Sequence, residues 1–159
     1  MATTTATITL ASSDLTSSAL SLTNTMTLHK AATCTGIEET TGLARKKFTA
    51  ANHVDLLVAG SGVAADVTAS KSAKVYIKNI GSDSTKYFKI GIGKASGGSS
   101  EEGFDVADSS ERYSQIGRLY SGDWMLIPWQ ADSTSGYGDI TIMPSTAEEM
   151  TVEYMVFFE

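Results

Sequence analysis

The sequence predicts an all-β protein, an antiparallel β-sandwich of jelly-roll type with little helix. Two patterns lead there. Short stretches alternate apolar and polar residues, as in "AKVYIKNI" and "TVEYMVFFE", and turn residues separate them. No stretch as long as a helix carries a 3.6-residue apolar period. The prolines agree: there are two, Pro128 and Pro144, and both fall where a strand would end or form an edge. With 159 residues, 42% apolar and 19% charged, the chain is long enough for one core and too apolar for disorder. One domain spanning residues 1–159 is expected, with about eight to ten strands.

The elements follow in chain order. Thr and Ser supply 19 of the first 50 residues, and Asp14 is the one charged side chain before Leu28. In "TATITL", Ala6, Ile8 and Leu10 alternate with Thr7 and Thr9. "ALSLTNTMTL" repeats the theme with Leu20, Leu22, Met26 and Leu28. Threonine is β-branched and favours the pleated conformation. Residues 1–30 therefore read as strands, or as an extended arm lying on a partner. Residues 34–53 read as a loop, and Arg45-Lys46-Lys47 within it as a solvated turn. "VDLLVAG" is a short apolar strand.

From residue 73 the alternation sharpens. Val75 and Ile77 face one way, and Lys74, Tyr76 and Lys78 the other. After the turn residues of "GSDSTK" comes "YFKIGIG", with Phe88, Ile90 and Ile92 on one face. The two strands are expected to form a hairpin. Residues 93–114 form a long Gly/Ser-rich acidic loop, with a helical turn expected near 110–116. Strands follow in "GRLYSGDWMLIPW", "DITIM" and the last segment. There Val152, Tyr154, Val156 and Phe158 oppose Glu153, Met155 and Phe157.

Sites for chemistry are weak. "GIGKASGG" departs from a phosphate loop, because Ala95 follows Gly93-Lys94 and Phe88 stands where the first glycine should be. Cys34, His29 and His53 have no nucleophile signature and are too few for a closed zinc site. Glu101, Glu102, Asp105, Asp108 and Glu111 crowd one loop without the spacing of an EF-hand, and read as solvated; calcium at a subunit contact is the minority reading. No catalytic residue, cofactor or metal is assigned. A net charge of −6 argues against nucleic acid. The N-terminus lacks the basic region and unbroken apolar run of a signal peptide. No stretch approaches the ~20 apolar residues of a membrane span, so no membrane partner is expected.

"LYSGDWMLIPW" is apolar on both faces, whereas a half-exposed strand should alternate. It is either covered twice or meets another chain. The last strand has the same property. Trp124, Met125, Ile127, Trp129, Met155 and Phe157 are therefore the candidate interface residues, since Trp and Met are enriched in interface cores.

"KVYIKNIGSDSTKYFKIGIG", "GRLYSGDWMLIPW" and "AEEMTVEYMVFFE" together resemble small structural proteins of tailed-phage virions, especially those of marine and cyanobacterial phages. The resemblance covers residues 73–159. It implies a non-enzymatic β-sandwich, built in the bacterial cytoplasm and carried on the virion as a homo-oligomer, taken as a trimer. The partner would be the major capsid protein or another virion subunit. Capsid cement or decoration proteins and tail or fibre components are both of this kind. Jelly rolls also host lectins, and Tyr113, Tyr120, Trp124 and Tyr137 could stack on sugars.

Overall fold

The computed structural model describes residues 3–13, 19–29, 36–37, 39–59, 72–93, 113–130 and 138–159. Among these residues all regular structure is strand. The eleven strands are β1 (Thr4–Ser12), β2 (Leu20–Leu28), β3 (Glu39–Thr40), β4 (Ala44–Phe48), β5 (Val54–Leu57), β6 (Ser72–Asn79), β7 (Tyr87–Gly93), β8 (Tyr113–Tyr120), β9 (Trp124–Gln130), β10 (Ile140–Pro144) and β11 (Met150–Phe158).

They form three antiparallel sheets. β1 and β2 make a two-stranded ribbon. A four-stranded sheet runs β5-β10-β7-β8. A five-stranded sheet runs β3-β11-β6-β9, with β4 on the same flank of β11 as β3. Gly42, at φ 72°, lets the chain kink between β3 and β4 so that both pair with β11.

The two larger sheets pack face to face as a sandwich. Period-2 alternation explains how. Ala73, Val75 and Ile77 of β6, and Val152, Val156 and Phe158 of β11, point inward from one sheet. They meet Phe88 and Ile90 of β7 and Ile140 and Ile142 of β10 from the other. Phe48 of β4 crosses to Phe88 edge to face, with ring centroids 5.5 Å apart. Burying each such side chain stabilises the fold by roughly 1.5–3 kcal/mol.

Three expectations need correction. Strands β6 and β7 do not form a hairpin. β6 pairs with β11 and β9, while β7 pairs with β10 and β8, so the chain crosses from one sheet to the other. An inter-sheet arch and a hairpin use the same turn residues, here with Asn79 Oδ1 accepting from Gly81 N and Asp83 Oδ1 from Thr85 N. Second, residues 34–53 are not simply a loop, since they contain β3 and β4. Arg45 and Lys47 point outward from an edge strand, where charge discourages edge-to-edge pairing. Third, Tyr113 begins β8, which leaves no helical turn over residues 113–116. The acidic loop carboxylates Glu101, Glu102, Asp105, Asp108 and Glu111, together with Cys34 and Tyr137, lie outside the described residues.

Candidate assembly interface

Partners directly opposite in an antiparallel pair point to the same side, so the register gives the outer surface of the five-stranded sheet row by row. The first row is Trp124, Lys78, Glu153 and Arg45. The second is Leu126, Tyr76 and Met155. The third is Pro128, Lys74, Phe157 and Thr40. The middle row is uncharged across three strands. The Tyr76 ring also reaches Trp124, with centroids 6.2 Å apart.

Each flanking row contains an ion pair, and Lys78 adds a further charge to the first. Arg45 Nη2 and Nε both lie 2.9 Å from Glu153 Oε2. Lys74 pairs with Glu159 at the far side. An apolar centre within a polar rim is the layout of a protein–protein contact. Burial and the nearby Glu153 carboxylate both push the Tyr76 hydroxyl above its ordinary pKa, so Tyr76 stays a neutral donor in this band.

The six sequence-level candidates divide between two faces. Trp124, Met155 and Phe157 lie on the outer surface. Met125 and Ile127 pack against the sandwich core, and Trp129 is buried in it, with Nε1 donating to Gly138 O at 2.6 Å. Tyr76, Leu126 and Pro128 complete the outer surface and were missed. Tyr76 stands between two lysines and reads as polar until cross-strand neighbours are known. β9 is an edge among the described strands, in keeping with Pro128, which has no amide hydrogen to donate.

The β1–β2 ribbon is a second surface, paired with no other strand among the described residues. Thr5, Thr7 and Thr9 oppose Thr27, Thr25 and Thr23 on one side, and Thr7 and Thr25 hydroxyls bond at 2.9 Å. The other side carries Ala6, Ile8, Leu10, Leu20, Leu22 and Met26, with Asn24 opposite Ile8, Thr4 and Ser12 at its ends, and Leu28 already buried. Ile8, Leu10, Leu22 and Met26 are each 40–49% exposed. Neither strand contains a charged residue.

Several polar groups elsewhere are engaged with one another, although the buried Thr141 hydroxyl has no hydrogen-bond partner among the described residues. A cleft of about 300 Å³ is lined by Asn79, Asp83, Lys86, Ser121, Glu149 and Thr151, among others. In it the Thr85 hydroxyl and amide, then Lys86, hold the Asp83 carboxyl down to about 2. Lys86 also pairs with Glu148. Asn79 is buried, with Nδ2 donating to Leu119 O at 3.1 Å. His53 is buried, and desolvation, followed by the Lys89 charge, lowers its pKa against a raising effect of Asp55. Among the described residues, no three His, Cys, Asp or Glu side chains are grouped to hold a metal ion. Tyr120, one of the proposed sugar-stacking rings, lies against Tyr87 at 5.1 Å.

No known protein family matches the chain, and no curated protein matches it.

Proposed function

We propose that this chain is a non-enzymatic structural protein of a phage virion, a capsid decoration or cement protein that acts through subunit contacts. The observation that carries the reading is the uncharged Leu126–Tyr76–Met155 band between its two ion-paired flanks. A solvated face would alternate charge there. The resemblance of residues 73–159 to tailed-phage virion proteins supplies the setting.

The strand pairing supports the jelly-roll expectation. β4 pairs with β11, β5 with β10, β6 with β9 and β7 with β8, a nested set distributed over two sheets. Capsid proteins use such sandwiches, as do lectins, so this support is by analogy of fold. On a particle many copies are present, and individually weak contacts add through multivalency. The chain would then join its neighbours and the major capsid protein into a reinforced shell.

The test is co-sedimentation of the purified chain with particles stripped of it. The reading predicts saturable binding, and stripped particles that regain resistance to heat. No binding at any concentration contradicts it. The second reading is a receptor- or carbohydrate-binding module of a tail fibre, favoured by the half-exposed Trp124 ring beside Tyr76. Selective binding on a glycan array, abolished by Trp124→Ala, would establish that reading instead.

A further inference from the structure

We propose that the β1–β2 ribbon is an exchange arm, whose apolar side lies across the Leu126–Tyr76–Met155 band of a second copy of this chain. This deepens the assembly reading above and rests on it.

The ribbon needs a cover. A lone two-stranded hairpin is at best marginal in water, and this one pairs with no other strand among the described residues. Its apolar side is exposed over most of its length, while its threonine side is suited to face solvent.

Size fits the proposed seat. Nine residues at ~3.4 Å, over two strands ~4.8 Å apart, make a ribbon about 30 Å by about 10 Å. β11, β6 and β9 have nine, eight and seven residues and together offer three strands' width.

Area decides between the possible contacts of two copies. One ribbon face covers about 300 Å², so a single ribbon-on-sheet contact removes roughly 600 Å² in total from the two partners. Two ribbons placed face to face would bury the same and no more, below the ~1,200 Å² where stable interfaces begin. Reciprocal exchange makes the ribbon-on-sheet contact twice in one dimer and reaches that threshold, which favours two copies over the trimer that the resemblance implies. It also covers at once both apolar surfaces that no other strand among the described residues covers.

Charge agrees. Copies that each carry −6 repel, so close approach favours neutral ground. The ribbon strands have no charged residue, and the flanks of the band carry the paired Arg45–Glu153 and Lys74–Glu159 together with the cation of Lys78, which the neutral ribbon does not oppose with a like charge. Docking the ribbon there brings no unpaired charge of its own into the contact.

Sedimentation velocity on the purified full chain tests this without particles, so its failure and a failure of particle binding are separate results. Two double variants are compared: Leu10→Thr with Leu22→Thr on the arm, and Leu126→Thr with Met155→Thr on the sheet. Threonine keeps strand propensity, and far-UV circular dichroism checks that each variant folds. The native chain is expected at twice the 16.8 kDa monomer mass, and each double variant as a monomer. An equimolar mixture of the two variants should associate again, at higher concentration. The intact arm of one then meets the intact sheet of the other, restoring one of the two exchanges. A native chain that is monomeric at all concentrations overturns the proposal. So does a folded variant that still dimerises. A mixture that shows no association even at the highest concentration reached also overturns it, because an intact arm and an intact sheet are then present together without binding, whereas arms that pair with arms would leave the sheet variant dimeric on its own.

Discussion

The two tryptophans of β9 sit five residues apart and should respond unequally to truncation. Trp129 is 4% exposed, and its indole N–H satisfies the Gly138 carbonyl at 2.6 Å. Trp129→Ala removes a large core side chain and leaves that carbonyl without its donor. Core truncations of this size cost about 3–5 kcal/mol. Trp124 is 46% exposed on the outer surface and touches Tyr76. Trp124→Ala loses that ring contact, worth about 1 kcal/mol. For a chain of this length each kcal/mol shifts Tm by about 2–4 °C. The expected drops are therefore roughly 10 °C for Trp129→Ala and about 2–4 °C for Trp124→Ala. Far-UV circular dichroism melts at low protein concentration, where subunit contacts do not contribute, read both. Emission from the single-tryptophan proteins gives a second check: Trp129 should be blue-shifted and resist acrylamide, and Trp124 should be red-shifted and quench readily. Equal Tm losses, or a larger loss for Trp124→Ala, would refute the assignment of Trp129 to the core and Trp124 to the surface.

Further outcomes follow from the same structure. His53 is buried, and its folded pKa lies below the ordinary 6.5. The unfolded chain therefore binds a proton that the native state refuses, so stability is full above about pH 6.5 and declines as pH falls below it. Urea midpoints at pH 7.5 and 5.5 should differ in that sense, and His53→Gln should narrow the gap. Asp83 behaves in the carboxylate sense, with a folded pKa of about 2. Its contribution is present above the usual carboxylate range and is lost as pH falls toward 2, which carboxyl-carbon NMR titration will read. Asn79 joins the turn after β6 to β8 by one donated and one accepted bond. Asn79→Ala leaves the buried Leu119 carbonyl without its donor and the exposed Gly81 amide to water, and should cost about 1–3 kcal/mol by urea denaturation.

Much of the sandwich was legible where one face of a strand is buried and the other is not. Val75 and Ile77 against Lys74 and Lys78 is such a case, and β11 is another. Legibility failed where an edge replaced burial. Arg45, Lys46 and Lys47 make β4 look like a turn, although Ala44 and Phe48 anchor it on β11 and Arg45 and Lys47 pair with Glu153 and Glu149. It failed again at the β6–β7 connection, because turn chemistry does not state which sheet the next strand joins. The outer surface was half visible. Met155 and Phe157 were apolar on the wrong side of their strand, which marked them. Tyr76 needed Leu126 and Met155 beside it, and those neighbours come from register, which a linear sequence does not display. The ribbon's alternation was plain in "TATITL", but its separation from both larger sheets is a tertiary property.

Immunogold electron microscopy of intact particles, with an antibody to this chain, tests the virion assignment most directly. Gold spread over heads is the predicted result. Gold on tails alone would contradict a decoration role and favour the fibre reading, and particles without gold would contradict a virion role altogether.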